Sequence, residues 1–372
     1  MVLTNFLLPR PYKLYNIISA ECRSVPIDRA QVNKVLAAFD CGQLKSYRQL
    51  AIGPSRSTNL VLNTSNGLKV LKQYRSDMSL QDITYEHSVL KHLAIHDFPS
   101  PRLIQSREGS TYLEVDGRYY ALFDFIPGFS YDDYFFPRSR LKFFLTEAGK
   151  TLARYHQIVD GLVPDGRKLD GFTPDGLRRW RDQGWYLDIF VASEALFKAR
   201  GAKSGLSRFF LDNLVRLKQC YIDLNQALAQ SFGSLPKLVI HGDYGPYNLL
   251  FNQEALVAVL DFECVHLDLR AIELITALIR FASSDTKLDY DQARIFFKAY
   301  ISQCPLPASE IELMPDLFRV EKLRVLACLL QEYFDLADLL MLHYARRLIL
   351  WIDWMAKNGV DLVQVLLECI ET

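Results

Sequence analysis

The feature that most constrains this chain is a change of character near residue 130. Upstream, the sequence is punctuated like a small antiparallel sheet; downstream, it is almost continuously helical. Asn59–Asn63 and Leu68–Tyr74 flank Ser65-Asn66-Gly67, and Thr111–Val115 and Arg118–Ile126 flank Asp116-Gly117. Asn-Gly and Asp-Gly pairs tolerate the positive φ of tight turns, so two hairpins are predicted. A short helix over Ile27–Phe39 precedes them. A helical pattern over Ser79–His92 separates them and ends at the extended segment around Pro99 and Pro101. Beyond Pro127-Gly128, apolar residues recur at helical spacing over Leu141–Ile158, Leu206–Ala229, Ala271–Ala282 and Leu317–Trp354. A single β interlude interrupts them, Leu249–Phe251 and Leu256–Phe262 around Asn252-Gln253-Glu254.

That order predicts an α+β, bilobal architecture: a small antiparallel-β N-terminal lobe over residues 1–126 and a larger, mainly helical C-terminal lobe over 127–372, joined by a connector at about 123–128. The length of 372 residues, half of them apolar, suffices for two such bodies at roughly 100–200 residues each. The 43 basic residues balance the 43 acidic ones, so charge gives no argument for a nucleic-acid or membrane-surface partner. Seven cysteines stand singly, without a C-x-x-C pair, so neither a zinc knuckle nor a disulfide framework is suggested, and the pattern suits a reduced, cytoplasmic setting. The apolar start Met1–Leu8 is closed by Pro9 and lacks a leading positive charge, unlike a signal peptide. No run of about 20 apolar residues argues for a membrane span. Nothing here fixes the oligomeric state.

The strongest chemical signal is His241-Gly242-Asp243-Tyr244-Gly245-Pro246-Tyr247-Asn248, followed after the hairpin by Asp261-Phe262-Glu263. A bent loop thus offers a carboxylate and an amide, and a tight hairpin returns a second carboxylate toward it. Phosphoryl transfer needs these parts: a base oriented at an attacking hydroxyl, and oxygen ligands for magnesium ions that bridge the phosphates. The interval from Asp243 to Asn248 matches the kinase pattern H-R-D-x-x-x-x-N with Gly in place of Arg, and Asp261 falls where the D-F-G metal ligand would.

In those motifs the chain resembles the aminoglycoside phosphotransferase and choline kinase superfamily, which includes homoserine, methylthioribose and N-acetylhexosamine kinases. Glu147–His156, Leu267–Leu274 and the run Tyr47–Tyr74 are similar to further segments of that family, so the resemblance extends with gaps from about residue 27 to about residue 350. It implies a protein-kinase-like fold, ATP and Mg2+ as cofactors, and a small-molecule hydroxyl as acceptor. It also implies that Asp243 is the catalytic base, that Asn248 and Asp261 ligate the metal, and that His241 supports the loop. Glu263 stands where an acidic residue is frequent in the family, either as a supporting or substrate contact or as an exposed carboxylate.

In the β lobe, Lys72 alternates onto the face of Leu68 and Val70, and a lysine there needs a carboxylate partner. Glu86 on the next helix is the candidate, resembling the lysine–glutamate pair that positions ATP phosphates. Lys69, on the opposite face, competes with Lys72. The loop Ile52–Asn59 contains a single glycine, Gly53, and is placed to cover phosphates with Ser55, Ser57 and backbone N–H groups. The connector Phe123-Asp124-Phe125-Ile126 is where the family binds adenine, so Phe123, Phe125 and Ile126 are candidate nucleotide contacts. Gly149-Lys150-Thr151 is not a Walker A motif, because Phe144 takes its first glycine position inside a helix. His87 and His92 read as helix-surface residues.

The acceptor stays open. Arg178, Arg179, Trp180, Arg181, Trp185 and Tyr186 suit an anionic or sugar-like acceptor; Glu332, Asp335 and Asp338 suit a cationic one. Both clusters read more readily as ordinary helix faces. Two other functions also stay open: a catalytically inactive kinase-like binding or scaffold protein, and a protein kinase. The lack of an A-P-E-like segment after Asp261-Phe262-Glu263 speaks against the latter.

Overall fold

A computed structural model describes residues 27–50, 57–76, 78–130, 138–168, 183–199, 205–284, 287–336 and 339–371. The first predicted helix forms over Arg29–Leu36, where Asp28 caps it by accepting from the Gln31 N–H. Six strands follow in one antiparallel sheet: β1 (Leu44–Gln49), β2 (Thr58–Thr64), β3 (Gly67–Gln73), β4 (Leu103–Ile104), β5 (Leu113–Val115) and β6 (Arg118–Asp124). Their order is β1-β2-β3-β6-β4, with β5 also paired to β6. Both predicted turns are present. Asp116 and Gly117 take φ of 53° and 70°, whereas at the first turn only Gly67, at 97°, leaves the negative region.

Alternation along the strands decides what each face of the sheet meets. Leu60, Leu62, Leu71, Tyr120 and Leu122 pack with Val32, Val35 and Leu36 of the Arg29–Leu36 helix in one buried cluster. The alternate residue of β3, Lys72, therefore leaves the opposite face, toward the Leu80–Ile95 helix. That helix begins with a reciprocal capping box between Ser79 and Asp82.

The described chain divides into two compact units, and the division is not a single cut. Residues 164–168 and 246–263 belong with the β-rich first unit, while 137–163, 169–245 and 264–372 form the second. The cause is strand pairing. The hairpin Leu249–Phe251/Leu256–Val259 pairs with the connector strand Phe129–Ser130, which holds it to the first unit.

The second unit holds the helices Leu141–Ile158, Gln183–Ala199, Gly205–Leu228, Arg270–Ala282, Tyr290–Ile301, Ala308–Leu336 and Leu339–Leu367. Gly149 permits one close approach there: a Cβ would lie 2.4 Å from the Phe296 carbonyl oxygen, so this glycine serves helix packing rather than a phosphate loop. Two four-residue strands were not predicted. Lys237–Ile240 and His266–Leu269 pair antiparallel, too short for alternation to register against the helical background. They matter because the first leads into His241 and the second leads into the Arg270–Ala282 helix. Among the described residues, no helix is long and apolar enough to cross a membrane.

Candidate active site

In the first unit, β3 carries Lys72 into a buried position. Its ammonium donates to Glu86 Oε1 at 2.9 Å and lies 2.9 Å from Glu263 Oε1, an ion pair without hydrogen-bond alignment. Burial alone would push the lysine pKa down, but Glu263 and then Glu86 overcome it and hold the ammonium well above its ordinary value. Burial would likewise raise the Glu263 carboxyl, yet Lys72 holds it below the usual carboxylate range. Lys69 instead meets Asp124 at 2.7 Å near the surface. Glu263 is therefore not an exposed carboxylate: it is buried and shares Lys72 with Glu86.

The chain around Glu263 is tied down on both sides. Lys168, itself buried, donates to the Glu263 carbonyl at 2.8 Å. Preceding it, Asp261 takes φ of 62°, a left-handed conformation that a non-glycine residue adopts at a local cost. Leu260 N–H donates to the Asn248 carbonyl at 2.8 Å, so the backbone places Asp261 directly after the residue tied to Asn248. Asn248 is buried and Asp261 half-buried. An amide oxygen and a carboxylate are hard donors of the kind magnesium takes, and magnesium completes its shell with water and phosphate rather than with a full protein cage. The pair fits that ion.

Phe123 lies within the sheet between Val70 and Leu103, with its ring buried against His87. Phe125 and Ile126 lie beyond the last β6 residue, half-buried, and neither makes a backbone hydrogen bond to the described residues. Their backbone groups are thereby open to a ligand. Gly53 and Ser55 fall outside the described residues; Ser57 is buried. His87 is not a surface residue. It is buried, contacts the Tyr74 hydroxyl and Thr111 Oγ1 at 2.9 Å each, and its pKa is lowered to about 3, first by burial and then by the Lys72 charge. It is a neutral core histidine.

In the second unit, the loop after Lys237–Ile240 is clamped through Glu273. The N–H groups of His241 and Gly242 donate to its two carboxylate oxygens at 3.0 and 2.7 Å, and His156 Nε2 donates to Oε2 at 2.9 Å. Burial would raise this carboxyl; the His156 hydrogen bond and charge, with His241, bring it below its ordinary value. His241 is buried, and its Nδ1 accepts the Asp243 N–H at 3.2 Å, which matches a supporting position. Gly242 has φ of 78°, and a Cβ there would lie 2.4 Å from the Cys264 carbonyl oxygen, so no side chain fits where the kinase pattern has Arg. Tyr244 anchors the loop's far side by donating to the Ala148 carbonyl at 2.8 Å.

Asp243 is half-buried and meets Arg280, whose Nη2 lies 2.9 Å from Oδ1 and whose Nη1 donates to the Tyr244 carbonyl at 3.3 Å. Glu273 and Arg280 both come from the Arg270–Ala282 helix, returned to the loop by the unpredicted strand His266–Leu269. The sequence marks the segment Leu267–Leu274 as similar to the family but assigns neither residue a role. A signal was present, since Glu273 and Arg280 are charged residues inside a mainly apolar helix. Of the acceptor clusters, Arg178–Arg181 and the side chains of Glu332, Asp335 and Asp338 lie outside the described residues; Trp185 packs edge-on to the buried Tyr186.

Comparison with known proteins gives this geometry its context. A profile of the phosphotransferase enzyme family (APH) matches residues 46–311. A homoserine kinase from Bradyrhizobium sp. (strain ORS 278) is 27% identical over 301 residues, 81% of this chain and 84% of that protein. A homoserine kinase from Caulobacter sp. (strain K31) is 29% identical over 291 residues, 78% of this chain and 82% of that one. Among solved structures, a microcompartment-associated aminopropanol kinase aligns with a TM-score of 0.64 at 18% identity, covering 90% of this chain and 99% of that one. An amicoumacin kinase aligns with a TM-score of 0.60 at 16% identity, covering 88% and 93%. At such identities the structures speak to fold: the α+β, two-lobed protein-kinase-like arrangement.

Proposed function

Since the chain belongs to the phosphotransferase enzyme family, and is thus an ATP-dependent small-molecule kinase, we propose that it phosphorylates the side-chain hydroxyl of a small amino-acid alcohol of the homoserine type, with magnesium as the metal. The observation that carries the reading is the buried Lys72 ammonium, 2.9 Å from each of Glu86 and Glu263. Two carboxylates fix the position of one ammonium, an arrangement suited to presenting fixed positive charge to the α- and β-phosphates. Backbone groups of Phe125 and Ile126 take the adenine edge.

Asn248 and Asp261 would hold magnesium, which would supply positive charge against the negative charge of the phosphates. Asp243 orients the acceptor hydroxyl and receives its proton as the hydroxyl oxygen bonds to the γ-phosphorus and the bond to the β,γ-bridging oxygen breaks, releasing ADP. Arg280 holds the Asp243 carboxylate in one direction, and the Glu273 clamp fixes the backbone that carries it. The homoserine kinases above support the choice of acceptor, and the singly placed thiols suit work in the reducing cytoplasm.

The test is Asp243→Asn, which keeps the shape and removes the base. Turnover of ATP with L-homoserine, followed as phosphohomoserine by phosphorus NMR, should fall by about 1,000-fold. Affinity for a non-hydrolysable ATP analogue should stay within about twofold. Unchanged turnover in that variant would remove Asp243 from the mechanism, and a wild-type enzyme inert toward homoserine but active on 3-aminopropan-1-ol would change the acceptor.

A further inference from the structure

The second unit contains a cavity of about 80 Å³ beside the Asp243 loop, lined among others by Tyr244, Asp268, Thr276, Arg280, Glu321 and Lys322. Its charges are unevenly matched. Arg280 is paired with Asp243 at 2.9 Å. Glu321 faces Arg324 at 3.5 Å, and Asp268 faces His266 at 3.5 Å. Lys322 differs from all of them. Its ammonium lies 3.5 Å from the Thr276 hydroxyl and 5.0 Å from the centre of the Phe318 ring, and among the described residues it makes no ion pair. A largely enclosed ammonium with no carboxylate at ion-pair distance among the described residues is costly, and Glu321 and Asp243 act on it only from farther away. A hydroxyl and an aromatic face do not repay that cost.

We infer that this cavity seats the acceptor, and that Lys322 receives a carboxylate on it while the acceptor's hydroxyl is directed to Asp243. A carboxylate entering the cavity would meet in Lys322 a cation without an ion pair among the described residues, and Arg280, which also lines the cavity and reaches the Asp243 loop, adds a second positive charge. An acceptor carrying only positive charge would find its potential partners already engaged. The selected class is therefore a small hydroxy acid or amino-acid alcohol, rather than a simple amino alcohol or an aminoglycoside. The lowered pKa of Lys322, about 8, set first by burial and then by Arg280, agrees with an ammonium still lacking its anion.

The inference rests on the phosphotransferase reading only for the reaction that follows binding, so the experiment separates the two. The ratio of kcat/KM for L-homoserine to that for 3-aminopropan-1-ol, its decarboxylated counterpart, is measured in wild type, Lys322→Met and Lys322→Arg. Loss of a charge-assisted partner should lower the ratio by about 30-fold in Lys322→Met, with a substantial part regained in Lys322→Arg. A ratio unchanged in Lys322→Met, or lowered equally in both variants, overturns the role of Lys322. If wild type phosphorylates neither compound, calorimetric titration with L-homoserine decides: binding that Lys322→Met abolishes upholds the carboxylate site and sinks the reaction, whereas absence of binding to wild type overturns the site.

Discussion

The Lys72 ammonium and the Glu263 carboxylate lie 2.9 Å apart, although 191 positions separate them along the chain and Glu86 already holds the same ammonium at the same distance. One buried cation thus has two anionic supports. Removing one partner of an isolated buried pair costs about 3–5 kcal/mol because a charge is left uncompensated. Here either carboxylate can cover for the other. Glu263→Gln and Glu86→Gln should each cost about 1–2 kcal/mol in urea unfolding, while the double variant should lose more than the sum. Additive losses would mean that the two carboxylates do not share the lysine.

The same pair has a pH signature. The folded-state pKa of Glu263 is held below the ordinary carboxylate value, so its contribution is fully present above the unfolded pKa of about 4.3 and is lost as pH falls through the lower, folded one. The stability gap between wild type and Glu263→Gln should be constant from neutrality to about pH 5 and close only in stronger acid. A gap already closing near pH 6 would show that the carboxylate gains nothing from Lys72.

Much of this was legible in the sequence, and the misses share a cause. Lys72 and Glu86 could be paired because strand alternation and helix position are local rules. The loop residues Asp243 and Asn248 stood out by spacing alone. Glu263, Glu273 and Arg280 take their roles from partners 31 to 191 positions away, and no periodicity encodes a partner across that distance. His87 was misread for the converse reason. A histidine on a helix carries no local sign that Tyr74 and Thr111 wait to satisfy both ring nitrogens in the core.

Gly242 should tolerate no side chain. Its φ of 78° already disfavours L residues, and a methyl group would meet the Cys264 carbonyl oxygen at 2.4 Å, a backbone atom that cannot swing aside. Gly242→Ala should destabilise the protein by about 1–3 kcal/mol and, by displacing Asp243, lower kcat at least as steeply. Full activity and an unchanged melting temperature would show that the loop does not need this conformation.

Glu273 links three donors to one carboxylate, so Glu273→Gln keeps size and leaves a single acceptor oxygen for N–H groups that used two. The expected loss is about 1.5–3 kcal/mol of stability, with kcat reduced about tenfold as the loop loosens. Binding of an ATP analogue, assigned above by proposal to Lys72, should be unaffected. Weakened analogue binding with intact kcat would contradict a role in holding the Asp243 loop.

Lys322 should make the enzyme less stable than it could be. Its folded pKa of about 8 lies below the unfolded value of about 10.4, so the unfolded chain binds more protons between the two. Over that interval wild-type stability rises with pH, because the fold has already shed the proton that it holds at a disadvantage. Below about pH 8 the folded protein carries the unpaired ammonium at full cost. Lys322→Met removes the charge and keeps the length of the side chain, and it should therefore be more stable than wild type at pH 7, with an advantage that shrinks from pH 8 to pH 10. Equilibrium urea unfolding at pH 7 and pH 9.5 measures both values. A variant less stable than wild type at pH 7, or an advantage that grows with pH, would mean that Lys322 has an anionic partner within the fold and needs none from an acceptor.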